Sequence, residues 1–352
     1  MKIKLAILEK DTSYLNRIVS VFNTRYSDNF VIYSFTDESV ALETLVNEKI
    51  DVLVADDAFE IDTSKLPKKC GFAYLCDMPG IESVRDQVAI CKFQKADLIY
   101  RQIMSVYSDK AESVAGFSLD GNAKVIIFSS PCGGTGTSTM AASCASYFAK
   151  QGKKTIYLDI EKFGTSEIFF DAEGQFGFSD IIFAIKSRKS NLPLKLESSV
   201  NRSTNGVYFY GKAKIALDMM ELSSEDIIQL LSQLKLSGSY DYIIVDMDFD
   251  LERDTLTIFR QAVGIVWVSD GSEAANSKTE RAFTALSVTE QNADSPLNGR
   301  VSLIYNKFSN KTSGMISGVE IKSIGGVPRY EHATARQVMS QVASMDMFEK
   351  LV

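Results

Sequence analysis

The chain has 352 residues, a length that favours two domains, and its 45% hydrophobic and 24% charged residues exclude disordered and fibrous proteins. Its formal net charge of −7 makes nucleic acid a poor first choice of partner. The single histidine argues against His-based metal sites. Five scattered cysteines without a CxxC pair favour reduced thiols, and no apolar run has the length of a membrane helix, so we expect a cytoplasmic protein.

Short β-branched runs alternate with helical patterns over residues 1–112, which predicts a doubly wound α/β domain. The third run has almost no polar alternation, as expected for a parallel strand that is covered on both faces. Helices are predicted between the runs, near 39–47 and 95–107. The predicted strands are KLAIL (4–8), FVIYSF (30–35), DVLVAD (51–56), GFAYLC (71–76) and VAICKF (88–93).

A polar segment at 113–122 is the candidate linker, and a second α/β alternation fills residues 123–352. Its apolar strands predict a larger domain with a mostly parallel sheet. A capping-box pattern, Ser223 with Asp226, predicts a helix over 224–236. The predicted strands are KVIIFSS (124–130), TIYLDI (155–160), VYFYG (207–211), DYIIVD (241–246), GIVWVS (264–269) and VSLIYN (301–306).

The segment CGGTGTST (132–139) joins the first of these strands to a predicted helix. Its glycines let backbone N–H groups approach phosphate, and the helix N-terminus adds partial positive charge. Ser138 stands where a phosphate-loop hydroxyl coordinates Mg²⁺, while Thr137 stands where the phosphate-loop lysine is expected. The predicted phosphate-binding residues are Gly133, Gly134, Thr135, Gly136, Thr137, Ser138 and Thr139.

Three polar residues end other apolar strands, at the sheet edge where α/β proteins bind ligands. Asp246 is placed to hold Mg²⁺ with Ser138, and Asp159 to orient water or metal, so both are candidate catalytic carboxylates. Asn306 is expected near a nucleotide base. A dinucleotide site is an alternative, because an acid follows the glycines at a suitable distance, but it leaves the pairing of Ser138 with Asp246 unexplained.

On these residues, the range 123–352 resembles the MinD/ParA group of deviant phosphate-loop ATPases. GGTGTST keeps the three glycines and both hydroxyl residues of the family motif, whereas Cys132 and Thr137 replace its two lysines. The resemblance implies ATP and Mg²⁺ as cofactors, with weak or absent hydrolysis. It also implies a base site beside Asn306 and Pro328, the latter in IGGVPRY (324–330).

Four residues at the predicted strand ends of the first domain resemble the phosphorylation site of a response-regulator receiver, a flavodoxin-like fold. Asp56 matches the phosphoacceptor, Glu9 and Asp11 the acidic pair, and Lys92 the lysine of the last strand. Such carboxylates bind Mg²⁺. The alternatives are phosphorylation at Asp56 or an inactive receiver fold that is kept for protein–protein contact.

A receiver-like domain followed by a MinD/ParA-like ATPase resembles the TadZ/CpaE pilus-assembly family. The resemblance implies homodimers that place the type IVb (Tad) pilus secretion machinery, at a cell pole or beside the inner membrane, through other pilus components. The C-terminal segment 337–352 is not basic, so no direct membrane anchor is expected. The functional alternative is an actively cycling ATPase for partition or division-site positioning, with Lys162 or Arg329 replacing the missing lysines.

Overall fold

The computed structural model describes residues 2–110, 122–164, 166–174, 176–187 and 192–351. Apart from its last residue, the predicted linker at 113–122 lies outside the described residues. The chain divides into two compact units. The first comprises Met1–Ala115 and Arg188–Ser199, and the second comprises Gly116–Ser187 and Val200–Val352.

The sheet of the first unit has six strands in the order β2-β1-β3-β4-β6-β5. All neighbours pair in parallel except β5 and β6, which form a hairpin where the sequence is too short for a further helix. The third and fourth strands are buried throughout, as their unbroken apolar runs predicted. The strands are β1 (Ile3–Leu8), β2 (Phe30–Phe35), β3 (Val52–Asp56), β4 (Gly71–Cys76), β5 (Ser83–Val84) and β6 (Gln87–Cys91).

Three helices connect these strands: α1 (Thr12–Arg25), α2 (Glu38–Asn47) and α3 (Ala96–Ser108). The first buries Leu15 and Phe22, which lie on the apolar face expected from their spacing. The other two, α2 and α3, begin and end within about one residue of the bounds predicted near 39–47 and 95–107.

The sheet of the second unit has eight strands in the order β14-β13-β12-β7-β11-β8-β10-β9. All pairs are parallel except β9 with β10. The strands are β7 (Lys124–Ser129), β8 (Thr155–Asp159), β9 (Asn201–Arg202), β10 (Tyr208–Phe209), β11 (Tyr242–Asp246), β12 (Gly264–Ser269), β13 (Val301–Phe308) and β14 (Lys322–Pro328). The fold class predicted from the sequence is confirmed for both units.

The helices of the second unit surround this sheet, and α4 is the most buried of them where it follows the glycine-rich loop. The predicted capping box of Ser223 and Asp226 is present at the start of α8. In the part of the chain that the structure describes, no helix combines the length and apolar character needed to cross a membrane. The helices are α4 (Thr137–Lys150), α5 (Phe178–Lys186), α7 (Ala216–Met219), α8 (Ser224–Leu236), α9 (Arg253–Phe259), α10 (Glu273–Thr289) and α11 (Ala335–Val342).

One further helix, α6 (Leu192–Ser199), belongs to the first unit although it lies between α5 and β9 in the chain. It packs against α3 through buried leucines. The Nζ of Lys195 donates a hydrogen bond to the hydroxyl of Ser105, at 2.5 Å. The first unit therefore contains a segment that the range 1–112 did not include.

Candidate functional site

The glycine-rich loop of the second unit turns the chain from β7 into α4 through two left-handed residues. Gly134 has a φ of 79° and Gly136 a φ of 89°, a region that side-chain-bearing residues rarely adopt. A Cβ at Gly136 would also collide with the amide of Asn306. The glycine that caps α4 offers no side chain to the first turn. The helix N–H groups and the positive end of its dipole therefore remain available to an anion.

Hydrogen bonds within the unit hold this loop. The hydroxyl of Ser130 lies 2.6 Å from the carbonyl oxygen of Val268, and the backbone N–H of Cys132 donates to that hydroxyl at 3.2 Å. On the other side, the Nδ2 of Asn306 donates to the carbonyl oxygen of Thr135 at 2.7 Å. Contacts within the protein therefore hold the loop in its conformation without a ligand.

Three carboxylates gather beside the loop. Asp159 ends β8 and is paired in register with Asp246, which ends β11. With Glu161, two residues further on, their carboxylate oxygens all lie within 4.8 Å of one another. The hydroxyl of Ser138 donates to Oε2 of Glu161 at 3.2 Å. Asp246 is fully buried: its Oδ2 accepts from the hydroxyl of Tyr157 at 2.8 Å, while its Oδ1 has no hydrogen-bond partner among the described residues.

These carboxylates raise one another's proton affinity. Burial, followed by repulsion from Glu161, raises the pKa of Asp159 to about 7. Burial also raises the pKa of Glu161, and it raises that of Asp246 well above its usual range. Among the described residues, none of the three forms an ion pair with a lysine or arginine. An acidic cluster with an unpartnered buried oxygen beside a hydroxyl fits a hard divalent cation.

Two neighbouring cavities open on this edge of the sheet. One of about 340 Å³ is lined by the loop, including Gly133, Thr137 and Ser138, together with Glu161. The other, of about 350 Å³, is lined by Thr139, Asn306 and Pro328 among others. Gly136 and Lys307 line both cavities. Each predicted nucleotide-site residue thus lies at one edge of the second unit's sheet.

Two residues of this site were not predicted. Glu161 had a visible signal, because it follows Asp159 by two residues in LDIEKFG and so continues the same row of carboxylates. Lys307, whose Nζ donates to the carbonyl oxygen of Gly134 at 2.8 Å, had none. Of the two cations suggested instead, Arg329 lines the second cavity, and Lys162 is exposed with its backbone N–H bonded to Asp248.

The first unit has its own acidic cluster around Lys92, which is buried after the end of β6. The ammonium contacts Asp56, and it lies 3.0 Å from Oε2 of Glu9 and 3.3 Å from Oδ1 of Asp77. The side chain of Asp11 instead caps α1 by accepting two backbone N–H groups. The structure therefore brings Glu9, Asp56 and Lys92 into contact as predicted, and gives Asp11 a capping role.

Burial and the mutual contacts of Glu9, Asp56 and Lys92 set the electrostatics of this first cluster. Burial opposes the ionised form of Asp56, but hydrogen bonds from Glu9 and Lys92 outweigh it and lower the pKa. Burial lowers the pKa of Lys92, but the carboxylates of Asp56 and Glu9 outweigh this effect and raise it. Burial and the interaction with Asp56 raise the pKa of Glu9 to about 7. The cluster thus contains its own cation.

Comparison with protein families matches residues 1–108 to the model described as "TadZ-like, receiver domain". No curated protein matches this sequence. The match agrees with the flavodoxin-like sheet of the first unit and with its cluster of Glu9, Asp56 and Lys92.

Comparison with solved structures matches MinD proteins over the rest of the chain. A chain of the MinC:MinD cell division protein complex of Aquifex aeolicus is 18% identical, with a TM-score of 0.51, covering 65% of this chain and 95% of that one. The cell division ATPase MinD of Pyrococcus furiosus is 15% identical, with a TM-score of 0.50, covering 65% and 100%. At these identities the likeness shows the fold. The two predicted family resemblances are confirmed as a TadZ-like receiver domain joined to a MinD/ParA fold.

Proposed function

Because the chain joins a TadZ-like receiver domain to a MinD/ParA fold, we propose that it is an ATP-binding protein of the Tad (type IVb) pilus secretion machinery, which it helps to place and assemble. The observation that carries the proposal is the carboxylate cluster of Asp159, Glu161 and Asp246 beside a preformed phosphate loop. A protein gains nothing in stability from three neighbouring carboxylates, one of them fully buried, without a cation, so we interpret the cluster as half of a ligand site.

The nucleotide has room in the two adjoining cavities. The phosphates are expected in the loop cavity, where backbone N–H groups of residues 133–139 and the start of α4 provide donors. The base and ribose are expected in the second cavity, beside Asn306 and Pro328. Gly136 lines both cavities, and a Cβ there would collide with the side chain of Asn306.

Mg²⁺ would be held by Ser138 and Asp246, with Asp159 beside them. The unpartnered Oδ1 of Asp246 and the hydroxyl of Ser138 are hard oxygen donors of the kind that Mg²⁺ prefers. A cation held there would supply positive charge that offsets the charge of the nucleotide phosphates. It would also bring the three carboxylates to their ionised forms, because a cation lowers their pKa.

We expect hydrolysis to be weak or absent, because Cys132 and Thr137 bring no ammonium group to the loop. The alternative, an actively cycling ATPase of the partition or division-site type, is favoured by one observation. Glu161 lies at the loop cavity within hydrogen-bond distance of Ser138 and offers a carboxylate that orients water. Steady-state phosphate release well above background, lost in Glu161→Gln, would favour this alternative.

Calorimetric titration of the full chain with Mg·ATP and Mg·ADP tests the proposal. We expect binding that Asp246→Ala abolishes. Asp294→Ala, which removes an exposed carboxylate of the same unit, is expected to leave binding unchanged. Absence of Mg·ATP binding to the wild-type protein, with its folded state confirmed by circular dichroism, would overturn the proposal.

The partners that we propose are a second copy of the chain and other Tad pilus components, at a cell pole or beside the inner membrane. The TadZ-like receiver domain supports them. Light scattering of the same samples, with and without Mg·ATP, measures the dimer.

A further inference from the structure

Lys307 is placed by an irregularity in β13. The pairing of β13 with β14 shifts register between Tyr305 and Phe308, and Lys307 has a left-handed backbone with a φ of 55°. In a regular strand, consecutive side chains point to opposite faces. Here the bulge turns the chain so that Asn306 and Lys307, although adjacent, both reach the phosphate loop.

The two side chains bind successive parts of the same loop. Asn306 donates to the carbonyl oxygen of Thr135, and Lys307 donates to that of Gly134, at 2.7 and 2.8 Å. A lysine ammonium has three donors, and one carbonyl uses only one of them. Because Lys307 is exposed, its stem is free to adjust when a ligand enters.

The charge around the loop makes this ammonium important. Of the described residues that line the loop cavity, only Lys307 is cationic, whereas Glu161 and Asp248 are anionic. Cys132 and Thr137, which stand where the motif usually has its two lysines, also line this cavity and are neutral. A triphosphate brings several more negative charges into this space, so its binding needs a cation besides Mg²⁺.

We infer that Lys307 is the phosphate-binding lysine of this site, supplied by β13 instead of by the loop. Its ammonium bridges the Gly134 carbonyl and the terminal phosphate oxygens of a bound nucleoside triphosphate. The inference rests on the proposed function and deepens it, since it states where the charge missing from the loop comes from. Neither Lys162 nor Arg329 donates a hydrogen bond from its side chain to the loop among the contacts of the described residues.

The test compares Lys307→Gln with Lys311→Gln, which removes an exposed lysine that lines neither cavity. Each variant is titrated with Mg·ATP and with AMP, and its thermal unfolding is recorded. We expect Lys307→Gln to weaken Mg·ATP binding by about tenfold or more, because a charge-assisted hydrogen bond is lost. AMP has no terminal phosphates to reach, so its affinity should change less than about twofold.

A second variant separates charge from loop shape. Lys307→Gln combined with Thr137→Lys returns an ammonium to the loop at the position where the motif usually has it, and we expect Mg·ATP affinity to recover. No recovery, or an equal loss of ATP and AMP binding in Lys307→Gln, would assign Lys307 to loop structure and overturn the inference. If wild type binds Mg·ATP and Lys307→Gln binds it equally well, only the inference fails. If wild type does not bind it, the proposed function fails as well.

Discussion

Both units gather carboxylates at the carboxyl ends of parallel strands, but they treat the resulting charge differently. In the first, Lys92 lies among Glu9, Asp56 and Asp77 and forms an ion pair with each of them. In the second, Asp159, Glu161 and Asp246 face one another with no ion pair to a basic side chain among the described residues. The first cluster is complete in the folded protein, whereas the second still needs a cation.

This difference separates a structural charge cluster from a ligand site. A buried ion pair stabilises the fold only relative to its own broken form. Repelling carboxylates reduce stability until a ligand arrives, so the protein retains a destabilising feature for binding. The same residue types at the same kind of sheet edge are therefore paired with a lysine in the first unit and left without one in the second.

Breaking the first cluster should give the largest effect. Lys92→Met removes the buried cation and leaves Glu9 and Asp56 unpaired. We expect the free energy of unfolding of the first unit to fall by about 3–5 kcal/mol, the usual cost of breaking a buried ion pair. Hydrogen exchange of the β1 and β3 amides measures it. The triple variant Lys92→Met/Glu9→Gln/Asp56→Asn should recover most of the loss. A fall below about 1 kcal/mol would mean that Lys92 behaves as a surface cation.

A smaller effect should come from pH acting on the second cluster. Burial raises the pKa of Asp159 from its ordinary value of 3.8 to about 7, so between these values the folded protein binds more protons than the unfolded chain. The free energy of unfolding of the ligand-free second unit should therefore fall as pH rises, by about 1 kcal/mol between about pH 6 and about pH 8 from Asp159 alone.

Denaturant titrations that follow the fluorescence of Trp267, buried in the second unit, measure this dependence. Asp159→Asn should flatten it, whereas Asp294→Asn, at an exposed carboxylate of the same unit, should not. An equal slope in wild type and in Asp159→Asn would show that the cluster is not strained. Saturating Mg·ATP should reduce the slope, because the bound cation compensates the repulsion.

The smallest response is expected when the first cluster meets a phosphoryl donor. Asp56 is 5% exposed and bound by Lys92, and Asp11 is engaged in capping α1. We therefore expect no change in the amide spectrum around Asp56 with Mg²⁺ and beryllium fluoride. Asp56→Asn is the control for non-specific binding. Shifts that appear in wild type and vanish in this variant would establish the first unit as a phosphorylatable receiver.

Much of the fold is determined by local apolar patterning that the sequence displays. The bounds of β2, β4 and α8 coincide with their predicted runs, since each is a continuous apolar or periodic segment with turn or capping residues at its ends. The short strands β9 and β5 were missed because two residues carry no period. The placement of α6 was missed for another reason: its partner α3 lies far away in the chain.

The site shows the same division. The loop glycines, Ser138, Asp159 and Asp246 follow from strand ends and motif spacing, and the structure brings them together. The role of Lys307 could not be predicted, because the direction of its side chain depends on a bulge and on a left-handed backbone. The sequence Asn-Lys gives no sign of either. The carboxyl group of Asp11 had the right position for a receiver site but lies at a helix start, where capping competes for it.

The position of α6 has a consequence for how the protein is made. Its buried leucines cover α3, so the first unit lacks part of its apolar packing until Ser199 has been synthesised. By then, β7, α4 and β8 of the second unit have already been translated. The apolar packing of the nascent first unit is therefore completed only when α6 is made, and α6 lies between two segments of the second unit in the chain. The order of translation therefore couples the maturation of the two units, and a gene fragment that stops at residue 110 omits the helix that completes the first.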